Sequence, residues 1–237
     1  MKRILIFSLA YYPNYIGGAE VAIKEITNRI PASDYEFHMV TLRFDFNLPK
    51  EEKIGNVMVH RIGFVKINAT IMDLGKFPLF LNKYLLPITG FIKAWQLNKI
   101  YKFDLVWNIM ANHAAFAGLF FKLTHPKVRY LLTLQEGDPI EYIRGRVRLV
   151  YPIFKKIFTK ADFIQTISTY LAHWARSEGY DKENLLVVPN GVDTANFFKE
   201  ILGETLIQIK NKIGKRSNEE WLIHTGRLVK KNGLDFV

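Results

Sequence analysis

The sequence predicts an α/β protein built on a doubly wound, mostly parallel β-sheet with helices on both faces. Three observations carry that expectation. Short apolar, β-rich runs alternate with helix-length amphipathic stretches along most of the chain, the rhythm of parallel strands joined by crossover helices. The first run, residues 3–9, is continuous rather than alternating, as a strand covered on both faces should be. Turn-forming groups such as Gly17-Gly18 and Pro189-Asn190-Gly191 follow the runs and punctuate them.

The elements follow in order. Residues 19–30 place Val21, Ala22, Ile26 and Ile30 on roughly one helical face, and residues 35–42 and 56–62 read as the next strands. Residues 77–102 read as a helix bent or broken at Pro87, because proline lacks the N–H and its ring crowds the preceding turn. Residues 103–110 and 128–134 are two further buried strands flanking a helix over 114–123. Residues 161–167 form another strand, followed by a helix that Ser168 would cap. This programme fills residues 1–195. A connector over 196–218 leads into residues 219–237, the expected start of a second domain, opening with a buried strand over 221–225 and cut off at Val237.

Composition narrows the function. Apolar residues make up 49% and charged residues 23%, the balance of a globular protein. There is no cysteine, so disulfides, thiolate metal sites and cysteine nucleophiles are excluded. The six histidines show no metal-ligand spacing. Neither a signal peptide nor an apolar stretch near about 18 residues is present, and a cytoplasmic protein is expected.

The net charge of +11 asks for an anionic partner, and its distribution is uneven. Residues 74–103 hold five lysines and no acid, and residues 142–161 hold three arginines and three lysines, again with no acid. These tracts are interleaved with apolar residues and carry no recognised nucleic-acid motif, so nucleic acid is not an expected partner. On a helix, Val150, Phe154, Ile157 and Phe158 gather on one side while Lys155 and Lys156 fall away, an arrangement suited to the anionic inner face of a membrane. The alternative is that the same apolar residues pack on the sheet.

Three places could hold a ligand. Gly17-Gly18-Ala19-Glu20 opens the first helix, where glycines allow close approach and free amides attract phosphate; the spacing is not that of the dinucleotide fingerprint, and a ligand-free turn is the alternative. Gln135-Glu136-Gly137-Asp138-Pro139 follows a strand, at the carboxyl edge where parallel sheets bind ligands. Glu136 and Asp138 are the catalytic candidates there, as acceptors of hydroxyl hydrogen bonds or as a base, against plain turn chemistry before Pro139. His113 follows another strand on the same edge and is a candidate for binding, although a lone histidine is more often structural.

Two further segments, Val187-Val188-Pro189-Asn190-Gly191-Val192-Asp193 and Gly226-Arg227-Leu228-Val229-Lys230-Lys231-Asn232-Gly233, follow the Gly-Gly-Ala-Glu loop in a telling order. Together they resemble family 4 of the retaining glycosyltransferases, enzymes of the GT-B type. The resemblance implies an N-terminal Rossmann-like, acceptor-side domain followed by the truncated start of a donor-binding domain. It implies transfer of a sugar from a nucleotide diphosphate sugar to an acceptor hydroxyl, sugar or lipid-linked, in polysaccharide, glycan or glycolipid synthesis, with no metal or organic cofactor.

Within it, Gly17 and Gly18 face the donor diphosphate, and Arg227 contacts its phosphates with a fixed charge and a fork suited to them. Asn232 stands where many members carry a lysine, so Lys231 or Lys230 takes that place. Gln135 stands where members often carry a histidine, which leaves Gln135 and His113 for acceptor binding and part of the work to Glu136 or Asp138. The fragment alone is expected to be inactive. The competing reading is a non-catalytic module that binds a membrane surface or an acceptor.

Overall fold

The computed structural model describes residues 1–216 and 218–225. The chain divides into two compact units, Met1–Gly191 and Val192–Val237. The first begins with strand β1 (Lys2–Phe7), helix α1 (Gly18–Arg29), β2 (Tyr35–Leu42), β3 (Glu51–Ile54) and β4 (Val57–Ile62). It continues with α2 (Phe80–Tyr101), β5 (Leu105–Ile109), α3 (His113–Thr124), β6 (Arg129–Leu134), α4 (Ile140–Arg146) and α5 (Tyr151–Thr159). It closes with β7 (Phe163–Thr166), α6 (Thr169–Ser177) and β8 (Leu185–Val187).

These strands form one sheet in the order β3-β4-β2-β1-β5-β6-β7-β8, parallel throughout except for the β3–β4 pair. The doubly wound, mostly parallel α/β architecture is therefore the one the sequence predicts. Side-chain alternation along β1 explains why its run is continuously apolar. Leu5 and Phe7 enter one core with Leu86 of α2 and Ala114 and Ala117 of α3, whereas Ile4 and Ile6 enter another with Ala19 and Ile23 of α1. Strand β5 divides likewise, Val106 to the first core and Trp107 and Ile109 to the second.

Helices α2 and α3 pack closely on the first face. A Cβ on Gly118 would lie 2.0 Å from Oδ1 of Asn108, so only glycine fits there. Helix α2 is not broken at Pro87, the stronger of the two expected effects of that residue. The missing N–H removes one intrahelical bond, and burial of Leu86, Gly90, Ala94 and Leu97 on either side holds the helix together.

Two other elements differ from expectation. Strand β3 was not anticipated, because Glu-Glu-Lys-Ile carries no strand-like apolar pattern. It is an edge strand, where charge is the usual protection, and it joins β4 through a two-residue turn with Gly55 at φ +57°. Residues 221–225 are not a buried strand. They form no ladder, and Leu222 is 92% exposed. A buried strand needs neighbours and covering helices, and among the described residues the second unit has only α7 (Thr194–Phe197), capped by Asp193, and α8 (Gly203–Lys212).

A knot of ionisable groups ties β2, β4, β3 and α2. Nδ1 of His38 lies 3.0 Å from Nε2 of His60, with the rings stacked. Their outer nitrogens meet Glu36 at 3.1 Å and Glu51 at 3.0 Å, and Nζ of Lys93 donates to Glu51 at 2.9 Å. Burial pushes both histidines below their usual range, so they are neutral at pH 7. His60 and Lys93 hold the Glu51 carboxyl down at about 2.

The unfolded chain therefore binds more protons than the native one below the ordinary histidine value near 6.5, and stability falls as pH drops from there. The Glu51 contribution is lost in a separate window below about 4.5. Thermal unfolding is expected to show a fall in Tm between pH 7 and 5 that His60→Gln reduces. An undiminished fall in the variant would place its origin elsewhere.

Candidate functional site at the carboxyl edge of the sheet

The direction of sheet growth reverses between β1 and β5, with β2 and β4 on one side and β6 to β8 on the other. Open parallel sheets bind ligands outside the carboxyl ends of strands near such a switch. At the end of β5 the backbone of Met110 turns at φ +64°, a strained conformation for a residue with a side chain. Its amide donates to the Thr133 carbonyl at 2.8 Å, which ties β5 to β6. The next amide, that of Ala111, donates to Oε1 of Glu136.

Glu136 is thus held by one oxygen. Its other oxygen, Oε2, is buried and has no hydrogen-bond partner among the described residues. Burial pushes the carboxyl up to about 7, against the pull of the Ala111, Glu136 and Gln135 amides, and the Asp138 charge adds to the rise. Asn112 caps α3 by accepting from the Ala114 amide at 2.8 Å and so fixes His113 at the first helical position. Burial, with Arg146 and Lys83 adding their charge, lowers His113 to about 4, leaving it neutral. Its ring meets Tyr84 edge-on, centroids 5.4 Å apart.

These groups share a cavity of about 600 Å³. Its lining includes the polar side chains of His113, Glu136, Asp138 and Arg146, together with Tyr84, Pro87 and Ile88 of α2, Phe116 and Phe120 of α3, and Val147, Leu149, Val150 and Ile153. The sequence-predicted His113, Glu136 and Asp138 therefore come together. Gln135 does not line the cavity; its Nε2 reaches Asn190 at 3.4 Å, and its Oε1 is buried without a partner. Gly17 and Gly18 lie outside it too, and the Gly17 amide donates to Oε2 of Glu20 at 3.1 Å. Arg227 and Lys231 lie outside the described residues.

The tract over 142–161 is divided by the fold. Phe154, Ile157 and Phe158 are fully buried and pack on the sheet beside Trp174, so they offer no face to a membrane. Val150 stays exposed with Leu149 and Ile153, and all three line the cavity. Arg144 is taken up by Glu178, a fully buried carboxylate that also accepts from Trp174 at 2.9 Å and Tyr151 at 2.8 Å. Reading the sequence missed the cavity walls on α2 and α3, whose residues look like ordinary helix-face apolars. Among the described residues, no helix is long and apolar enough to cross a membrane.

A doubly wound parallel domain with an acid-bearing cleft at its carboxyl edge is the arrangement in which open parallel sheets bind a ligand at the topological switch point. The chain matches Glycosyltransferase Family 4 over residues 16–196 and belongs to that family. No curated protein matches it. Among solved structures it is similar to sucrose-phosphate synthase from Thermosynechococcus elongatus, at 14% identity and a TM-score of 0.67, covering 92% of this chain and 54% of that one. It is also similar to HepE from Anabaena in complex with UDP-glucose, at 15% identity and a TM-score of 0.57, over 90% and 50% of the two chains. A trehalose 6-phosphate synthase from Burkholderia multivorans follows at 14% identity and 0.52, over 91% and 54%. The chain thus spans about half the length of these proteins. Identities this low show the fold.

The raised Glu136 carboxyl has a thermodynamic signature. The native state holds its proton up to about pH 7, whereas the unfolded chain releases it near 4.5, so its contribution to stability is lost as pH rises through that window. Glu136→Gln is expected to raise Tm at pH 8 and to leave it nearly unchanged at pH 4. Destabilisation at pH 8 would show that the ionised carboxylate is well accommodated.

Proposed function

We propose that this chain is the acceptor-side domain of a retaining glycosyltransferase that moves a sugar from a nucleotide diphosphate sugar to an acceptor hydroxyl, in glycan or glycolipid assembly. The carrying observation is Glu136: one carboxylate oxygen is fixed by Ala111, while the other is unpartnered and the residue lines the cavity. An acceptor hydroxyl donating to that oxygen is oriented for attack, and a carboxyl near pH 7 is matched to take or return its proton. His113, neutral, and Asp138 complete the polar lining.

The transition state separates a glycosyl cation from a diphosphate, so positive charge is needed at the phosphates. Arg227 and Lys231 supply it, together with the amides around Gly17 and Gly18. A diphosphate that uses the Gly17 amide displaces the Glu20 carboxylate, itself nearly buried and pushed above its usual range by that burial. HepE, with UDP-glucose in its structure, supports the class of donor. An anionic membrane face fits the remaining cations of the 142–161 tract, Arg146, Arg148, Lys155, Lys156 and Lys160, none of which forms an ion pair among the described residues.

Sugar-transfer assays test this reading. The 237-residue chain, which spans about half the length of the solved structures it resembles, is by itself expected to turn over no substrate and to bind nucleotide sugar weakly. Robust transfer by it would contradict the proposal. Joined to a complete donor-binding domain, Glu136→Gln is expected to lower kcat about 100-fold or more, and Arg227→Ala by a similar factor. Glu141→Gln, on the exposed side of α4, serves as the control and should stay within about twofold of the parent. Equal losses at Glu136 and Glu141 would reduce Glu136 to a turn residue.

A further inference from the structure

We propose that the outer face of α2 is a docking surface for an anionic lipid bilayer, against which the helix lies in the plane of the interface. This gives the membrane face read from the 142–161 cations its apolar contact, rests on that part of the proposed function alone, and is independent of sugar transfer.

Helix α2 has two apolar faces. Leu86, Gly90, Ala94 and Leu97 form the buried one. At about 100° of turn per residue, Tyr84, Ile88, Ile92 and Trp95 fall in one narrow stripe on the opposite side. Each of the four is at least 44% exposed, so the stripe points away from the sheet and into water. It is about 16 Å long, at the rise of an α-helix. Ring contacts extend it from Tyr84 through Phe80 to Phe77, with centroids 6.1 and 6.2 Å apart, and Phe77 is itself exposed. Beside Tyr84 and Ile88 it meets the mostly apolar trough of the cavity, lined by α2, α3 and the 147–153 segment, where Leu149 is 96% exposed. Single exposed apolar side chains are ordinary on a protein surface, but a continuous run of them marks an interaction site.

Charge names the occupant. Residues 74–103 hold five lysines and no acid. Two are answered within the domain, Lys76 by Asp73 and Lys93 by Glu51. Lys83, Lys99 and Lys102 form no ion pair among the described residues. Nζ of Lys99 lies 3.4 Å from the centroid of the Trp95 ring, so this cation is held against the stripe itself. Lysine stems that follow an apolar surface, with aromatic rings beside them, suit the headgroup level of a bilayer.

The combination discriminates among occupants. A second copy docked stripe to stripe would bring these cations against their own images. A neutral apolar partner would leave them unanswered. An anionic leaflet takes the apolar stripe and the flanking cations together. The contact is in-plane, because the inner face of α2 is committed to the core and, among the described residues, no helix is long and apolar enough to cross a membrane.

Co-sedimentation with vesicles of phosphatidylcholine, alone or with about one-third phosphatidylglycerol, tests this. The chain is expected to bind the anionic vesicles at least about tenfold more tightly than the neutral ones, and added salt should narrow the difference. Ile92→Glu with Trp95→Glu should weaken binding by about tenfold or more, as should Lys83→Gln with Lys99→Gln. None of these side chains is buried, so the variants should fold, and unchanged circular dichroism checks that they do. The chain has no cysteine, so Ile92→Cys can carry a single environment-sensitive dye. Its emission should shift to the blue on anionic vesicles, whereas the same dye on Ser33→Cys, exposed just before β2 at the amino edge of the sheet, should not respond.

Vesicle binding that survives Ile92→Glu with Trp95→Glu, or an unshifted dye on Ile92→Cys, overturns the assignment to α2. Equal binding to neutral and anionic vesicles overturns the role of charge, and no binding at low salt overturns the whole. Dimerisation in sedimentation velocity that Ile92→Glu abolishes, without vesicle binding, makes a second copy the occupant and also overturns it. Binding that falls only with Arg148→Glu and Lys156→Glu keeps the anionic membrane face and removes α2 from it. Sugar transfer enters none of these measurements, so its failure sinks only the enzymatic reading.

Discussion

Where the site can lie is governed by the burial of β1 and β5 on both faces. Two separate cores press on the same strands, so their side chains must be apolar wherever a helix covers them. Asn108 is the exception that shows the rule, since its Nδ2 donates to the Ala115 carbonyl and to the Tyr130 hydroxyl, and Gly118 makes the room for it. Charged groups that need a ligand can emerge only where the helices stop covering the strands. The site is at the carboxyl edge because the sheet leaves it no other place.

Placing the site there has a local cost that falls on few residues. Met110 takes a left-handed backbone, and Glu136 is held against burial by amides on one side only. A protein selected for stability alone would carry an amide or an apolar side chain at Glu136. The strain and the misfit charge sit on neighbouring strand ends, joined by the Ala111 amide, and the rigid sheet beneath them over-determines both.

Much of this was legible in the sequence because the parallel fold writes itself in local patterns. The span of β2 follows directly from its apolar run, and Ser168 caps α6 by accepting from the Leu171 amide, as its position before the helix suggests. The elements that escaped are those whose stability is not local. Pro87 breaks no helix because α2 is held by tertiary packing, and β3 is a strand only because β4 pairs with it. Residues 221–225 have a strand's composition, but composition cannot supply a neighbour. His113, Glu136 and Asp138 could be placed on one edge by counting strands. The trough could not, since its walls come from α2, α3 and the 147–153 segment, and each wall taken alone resembles the solvent side of a helix. The fate of Phe154, Ile157 and Phe158 makes the same point: an amphipathic pattern identifies a covered face without saying what covers it.

The clamp at Glu178 sets how firmly α4, on one side of the site, is held to the domain. Helix α4 has one fully buried residue, Ile140, with Ile143 half-buried against the core, and Arg144 ties it to α6 through the Ser177 hydroxyl and through Glu178, a carboxylate that already serves Trp174 and Tyr151. A short helix held by two apolar side chains and one polar clamp opens at less free-energy cost than the sheet beneath it. One wall of the trough can therefore swing away while the strand ends keep their geometry. Because Arg144 remains partly open to solvent, added salt weakens this clamp more than it weakens the apolar packing of the sheet.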